Sequence, residues 1–308
     1  MEFTRLPRFR HAPQIAPMQL TERDRKIIHC VYRHRFLRST HIIALLGGSS
    51  QQILRRLQIL FHHGYLERPR AQIDYYYRGG SRHIVYGIGN RGAALLREQS
   101  GIDCRELNWS EKNRSLGQLF LEHALLVSDV MVALEISCRQ SGRVRLFNLD
   151  ALQVHDDKLY QHGAVRWSVT VGGGRKLGLV PDRVFALEFL DQPSARNRAY
   201  FFLEADRATM PVTRRSLSQS SFYRKLLAYE ATWKQELHRS KLGFNRFRVL
   251  TITTCLQRTK SLVTACSKLE RGHGLFLFAD HASFITHGDP LSLRFLTGHP
   301  GKTASLLD

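Results

Sequence analysis

Apolar positions recur at helical spacing through most of the first hundred residues and at strand spacing later, and that change divides the chain. From Thr21 to His34, Ile27, Ile28, Val31 and Tyr32 mark one side of a helix. Thr21 stands where an N-cap belongs, and Glu22 and Asp24 place negative charge in the first turn, where the helix dipole favours it. Ser39 is expected to cap a second helix over 40–46, which Gly47–Gly48 stops. A third is predicted from about Ser50 to His63, ending at Gly64. Tyr65–Leu66 then opens a strand, and His83 to Ile88 alternates as a second. Between them lie a tyrosine triplet, Tyr75 to Tyr77, and the basic tip RGGSR. A helix over 90–99 closes the unit. Helix, helix, helix, hairpin is the order of a winged helix-turn-helix, assigned to 20–100.

The periodicity lapses over 101–115, which reads as a linker. Leu116, Leu119, Phe120, Leu126, Val130 and Leu134 then mark one face of a long helix. Strand patterns follow at 143–149, 164–171, 183–190 and 200–205, then a helix over 216–239. A strand at 246–253, a helix at 259–269 and a strand at 274–278 complete the series. This succession of helices and strands predicts an α/β sandwich over 116–280, with 281–308 as a tail. The fold class expected is α/β in this half and α+β overall.

Charge adds a partner to this picture. The 308 residues carry 46 Lys and Arg against 26 Asp and Glu, a formal net charge of +20. A surplus of that size calls for a polyanion, and nucleic acid is the commonest one; a merely basic protein is the other reading. No apolar run reaches membrane-spanning length, so no membrane partner is expected. The first 19 residues are basic, hold Pro7, Pro13 and Pro17, and lack the apolar block of a signal peptide. Five cysteines without a C-x-x-C pair point to a reducing, cytoplasmic location.

Within the third helix, Ile53, Leu57, Leu60 and Phe61 form a core side, and Gln51, Gln52, Arg55, Gln58 and His62 line the opposite one. Gln and Arg make paired hydrogen bonds to adenine and guanine edges, and a helix bearing them fits the major groove of double-stranded DNA. Arg56, Arg78 and Arg82 suit phosphate contacts. The alternative is a solvated polar face on a scaffold helix.

Two acidic motifs stand out further on. Val180-Pro181-Asp182 precedes one strand, and Phe201-Phe202-Leu203-Glu204-Ala205-Asp206 ends another. Carboxylates at the end of an apolar strand need a partner. Mg²⁺ or Mn²⁺ is one, held by Asp182 and Glu204 and suited to phosphodiester cleavage. The other is arginine: Asp182 would cap a turn while Glu204 and Asp206 pair with Arg183, Arg207 or Arg214.

The stretches LTERDRKIIHCVYRHRFLRSTHIIALLGG, RRLQILFHHGYLERP, YGIGNRGAALL, LEHALLVSDVMVALE, LVPDRVFALEF, FFLEADRATM and FYRKLLAYEATW resemble the replication-relaxation family of plasmid and mobile-element proteins. The resemblance implies a second half similar to the PD-(D/E)XK nuclease fold, related to mobilisation relaxases. There Pro181-Asp182 matches the first motif and Glu204 the first acid of the second, while Asp206 occupies the lysine position. Lys225 on the following helix is the candidate replacement, Lys176 a weaker one, and Glu122 a candidate third acid. Tyr229 is read as a packing aromatic rather than a nucleophile. Gly172-Gly173-Gly174 is read as a β-turn, since no phosphate-loop motif is present. The implied function is sequence-directed duplex binding in plasmid replication or mobilisation, with Mg²⁺-dependent nicking by Asp182, Glu204, Asp206 and Lys225. The alternative is a non-enzymatic regulator with a degenerate nuclease domain. A homodimer and other plasmid replication or transfer proteins are the further partners to consider.

Overall fold

A computed structural model describes residues 6–73, 83–100, 108–148, 159–161, 164–193 and 197–308. It divides into two compact units, Met1–Val132 and Ala133–Asp308.

The first unit opens with α1 (Glu22–His34), β1 (Phe36–Arg38), α2 (Ser39–Leu46) and α3 (Ser50–His62). The strands β2 (Leu66–Glu67) and β3 (Val85–Ile88) follow, then α4 (Asn90–Ser100) and α5 (Trp109–Ser115). Thr21 caps α1 as expected, in a reciprocal capping box with Asp24. Gly47 and Gly48 both take positive φ, 68° and 83°, and turn the chain from α2 into α3. The strands form one antiparallel sheet in the order β1-β3-β2. Ile27, Ile28, Val31, Ile42, Ile53, Leu57, Leu60 and Leu66 are fully buried and hold the helices and sheet together.

The stretch expected to be a linker is built in from residue 109. Asn113 Nδ2 donates to the Ile88 carbonyl at 2.8 Å, and Ser110 N donates to Asn90 Oδ1 at 2.9 Å. Those bonds tie α5 to the preceding strand and helix, a use of polar side chains that hydrophobic periodicity does not register. The boundary between the units falls later, inside α6 (Gln118–Ser141).

The second unit holds the long strands: β4 (Val144–Asn148), β5 (Tyr160–Gln161), β6 (Ala164–Val165), β7 (Trp167–Val171), β8 (Arg175–Leu179), β9 (Arg183–Phe189) and β10 (Arg198–Asp206). Next come α7 (Phe222–Lys234), α8 (Leu237–Ser240), β11 (Phe247–Thr253), α9 (Leu256–Cys266) and β12 (Phe276–Asp280). The chain closes with α10 (His281–His287), β13 (Phe295–Thr297) and β14 (Thr303–Ala304). Seven strands form a mixed sheet in the order β14-β13-β12-β11-β10-β9-β4. Strands β4, β9 and β10 run antiparallel, whereas β10, β11 and β12 are parallel, with α7 and α9 as crossovers. The molecule is therefore α+β.

Residues 281–308, expected as a tail, extend the fold instead. Leu277 and Phe278 on β12 pair with Thr297 and Leu296 on β13, and Phe284 and Phe295 are fully buried. Helix α7 starts at Phe222, six residues later than predicted. The intervening serines bond their own backbone, as Ser218 N does to Ser216 Oγ at 3.2 Å, so they hold a turn rather than a helix. Gly172–Gly174 joins β7 to β8 as a tight connection, and that hairpin packs on α7, where Trp167 Nε1 donates to Thr232 Oγ1 at 2.8 Å.

Candidate functional site

Helix α3 is two-sided. Ser49 caps it, its side chain accepting from Gln52 N, and Ile53, Leu57, Leu60 and Phe61 lie against the core. Gln51, Gln52, Arg55 and Gln58 are exposed. Gln52 Oε1 accepts from Arg23 at 3.2 Å, so α1 supplies a further cation beside that face.

Two residues of α3 expected to face DNA, Arg56 as a phosphate contact and His62 on the polar face, are used elsewhere. Arg56 bonds Asp24, its Nε donating to Oδ1 at 2.8 Å, and it also donates to the Gln19 carbonyl. Asp24 is wholly buried, and takes the Thr21 N–H and hydroxyl at 2.7 Å each. Burial pushes the Asp24 carboxyl up, but the bonds from Arg56 and Thr21 outweigh it and hold it below the usual carboxylate range. The Arg56 guanidinium is thus committed to a bond inside the fold rather than offered to a phosphate. His62 is buried because the chain before α1 covers it, and its Nδ1 accepts from Ala12 N at 3.2 Å. Arg78 and Arg82, the expected wing contacts, lie outside the described residues.

The acidic residues converge on the sheet of the second unit. Asp182 ends the β9–β10 ladder: its N–H donates to the Leu203 carbonyl at 3.0 Å, and its Oδ2 accepts from Ala205 N at 2.8 Å. The carboxylate therefore continues the pairing that stops at Leu203↔Arg183. Glu204, 1% exposed, accepts from two residues of α7. Lys225 Nζ donates to Oε2 at 2.5 Å and Tyr229 OH donates to Oε1 at 2.6 Å. Lys225 and Tyr229 are four apart, so one face of α7 meets both oxygens.

Burial drives Glu204 up to about 7, against the pull of Lys225, and the Asp182 charge adds to the rise. Lys225 is itself raised: burial lowers it, but the charges of Glu204 and Asp182 prevail. Tyr229 is fully enclosed by Trp167, Phe202 and Phe247, and burial raises its phenol well above the ordinary value. An enclosed neutral phenol is a packing and hydrogen-bonding group, not an accessible nucleophile.

Asp206 belongs to a different arrangement. Arg258 on α9 grips it with Nε on Oδ2 at 2.7 Å and Nη2 on Oδ1 at 3.1 Å, and Thr253 Oγ1 donates at 2.8 Å. Arg258 also donates to the Met210 carbonyl at 2.7 Å. The carboxylate expected among the catalytic residues thus staples β10 to α9. Arginine is its partner, but not one of the neighbouring arginines: Arg258 is 52 residues away, and no local signal could have found it.

The other candidates stand apart. Lys176 is exposed on β8. Glu122, in the part of α6 that belongs to the first unit, accepts from Gln118 one turn before it at 2.9 Å. Among the described residues, no group of three or more His, Cys, Asp or Glu side chains is placed to hold a metal ion. Nor, among those residues, is any helix long and apolar enough to cross a membrane. Residues 28–246, well over half the chain, match the family model described as replication-relaxation. No curated protein and no solved structure matches the chain.

Proposed function

The chain belongs to the replication-relaxation family, and on that premise we propose that it binds duplex DNA through α3 in the service of replication or mobilisation. The observation that carries this reading is the exposed row Gln51, Gln52, Arg55 and Gln58 on a helix whose other side is fully buried. Such side chains read adenine and guanine edges in the major groove. The order α1-β1-α2-α3-β2-β3 supports a winged helix-turn-helix, with α3 as its recognition helix. The net charge of +20 supports a polyanionic partner.

A gel-shift titration with the DNA of its own origin region tests the proposal. Gln51→Ala combined with Arg55→Ala abolishes specific binding; an unchanged affinity refutes the assignment.

One observation favours a second reading, cleavage by the second unit. Lys225 leaves α7 to meet Glu204, with the Asp182 charge acting on both. The order α6-β4-β9-β10-α7-β11, with acids on β10 and just before β9, supports the PD-(D/E)XK comparison. Mg²⁺ or Mn²⁺ fits the chemistry of these donors, because such ions are commonly held by one or two carboxylates, with water and phosphate oxygens completing the shell. Asp182 and Glu204 would hold it, Oε2 of Glu204 being the oxygen that Lys225 now occupies. When bound, a divalent cation stabilises charge on a departing phosphodiester oxygen. Lys225 offers a second positive charge to that phosphate. Tyr229 keeps Glu204 oriented through the other oxygen.

Supercoiled plasmid carrying the origin region, incubated with Mg²⁺ or with EDTA, separates the readings. Nicking that requires Mg²⁺ and is lost in Asp182→Ala supports cleavage. Nicking that survives the substitution removes Asp182 from it, and no nicking under any condition leaves a non-enzymatic DNA-binding protein.

A further inference from the structure

The second unit has a cleft of about 750 Å³ walled by Trp233, Lys234, Arg239, Arg246, Glu270 and Arg271. It lies at the far end of the sheet from the acids. Phe247, in its wall, pairs with Tyr200 at the beginning of β10, whereas Thr251 is the residue opposite Glu204. The two regions lie at opposite ends of α7 and of the β10–β11 pair, and no residue that bonds the acids lines the cleft.

The charges in this cleft are unevenly satisfied. Lys234 bonds Glu230 and Glu270 at 3.2 and 2.7 Å, and Arg239 bonds Glu236 at 2.9 Å. Arg246 is exposed and has no hydrogen bond or ion pair among the described residues. Arg271 donates its backbone N–H to Glu230 Oε1 at 2.8 Å, but its guanidinium makes no hydrogen bond or ion pair among the described residues; the charge it acts on, Glu270, is already engaged by Lys234. Trp233 leaves 37% of its surface in solvent, although an indole gains by being covered. His238 is buried in the same wall, with an Nδ1 that meets no hydrogen-bond partner.

An exposed indole beside two under-used guanidiniums is the combination that recognises a flat aromatic ring carrying a phosphate. Base stacking on an aromatic side chain is tolerant of sequence, and guanidinium matches phosphate geometry with paired hydrogen bonds. We propose that this cleft binds a nucleotide, its base on Trp233 and its phosphate on Arg246 and Arg271. The nucleotide is free in solution or part of a single strand; the chemistry is the same. The inference uses residues of the second unit alone, so it stands whether or not α3 reads a duplex.

The test uses the full-length protein and a fluorescein-labelled oligothymidylate followed by anisotropy, with dTMP and inorganic phosphate as competitors. Trp233→Ala and Arg246→Ala are each expected to weaken binding by about tenfold or more. Arg175→Ala, an exposed arginine on the β7–β8 hairpin, is the control for general charge and changes affinity by less than about twofold. Competition by dTMP identifies a free nucleotide as a sufficient ligand; competition by unlabelled strand alone identifies the strand. Wild-type affinity in both variants overturns the proposal. So does displacement by inorganic phosphate at the same concentration as dTMP, which would reduce the site to an anion contact.

Discussion

The polar face of α3 and the acidic cluster of the second unit are built on opposite plans. On α3, the side chains of Gln51, Arg55 and Gln58 stand in solvent and make no hydrogen bond among the described residues. At the cluster, Glu204 and Asp206 are buried, and every carboxylate oxygen of the two has a donor. An open polar face contributes little to folding and is available to a partner. A closed cluster holds strands and helices together, and any external ligand must displace a bond already made. Residue type alone does not tell the two apart, since each is a run of charged and polar residues beside an apolar segment.

Substitutions break this comparison in order of size. Removing Arg258 strands the buried Asp206 carboxylate, and Arg258→Ala is expected to cost about 3–5 kcal/mol in urea unfolding. A cost below about 1 kcal/mol would mean that the staple is replaceable. On the open side, the Gln51→Ala and Arg55→Ala pair leaves that unfolding curve within about 0.5 kcal/mol of the parent while duplex affinity collapses. Loss of stability and affinity together would erase the distinction.

The smallest effect is one of pH, and it concerns the closed pair that α3 makes through Arg56. Asp24, paired with Arg56, has its carboxyl held below its ordinary value of 3.8. A depressed folded-state pKa contributes stability that is present above 3.8 and lost as pH falls through the lower, folded value. Asp24→Asn is therefore less stable at neutral pH and flatter than the parent below 3.8. Parallel acid limbs in the two proteins would show that the pair contributes nothing there.

Local patterns carried much of this architecture. The cap at Thr21, the apolar side of α3 and the helical continuity of α6 follow from neighbours within one or two turns, and each was legible from spacing. The spacing of Asp182 and Glu204 also suggested that they come together, whereas Lys225 entered only through the family resemblance; what the three do there is the subject of the nicking test. The three-residue β1 was not visible, because Phe-Leu-Arg is too short to show alternation. Its sheet position becomes clear only when Phe36, Leu37 and Arg38 find Gly87, Tyr86 and Val85. Asn113 and Arg258 were missed for the same reason: their partners are 25 and 52 residues away, and hydrogen bonds leave no periodicity. Residues 281–308 looked like a tail because their strands are two or three residues long and gain their place only by adding to β12.

The two acids of β10 also differ in how much chain must be closed to satisfy them. Lys225 and Tyr229 reach Glu204 across 21 and 25 residues, whereas Arg258 reaches Asp206 across 52. Loop closure grows costlier by about 0.6 kcal/mol for each doubling of length, so the Glu204 contacts come within reach of the folding chain first. The Glu204 contacts need only β10 and α7, whereas the Arg258 contact also needs the chain to continue through β11 into α9. One strand thus carries two acids of different reach: Glu204 joins it to the helix that follows, and Asp206 joins it to the helix beyond the next strand.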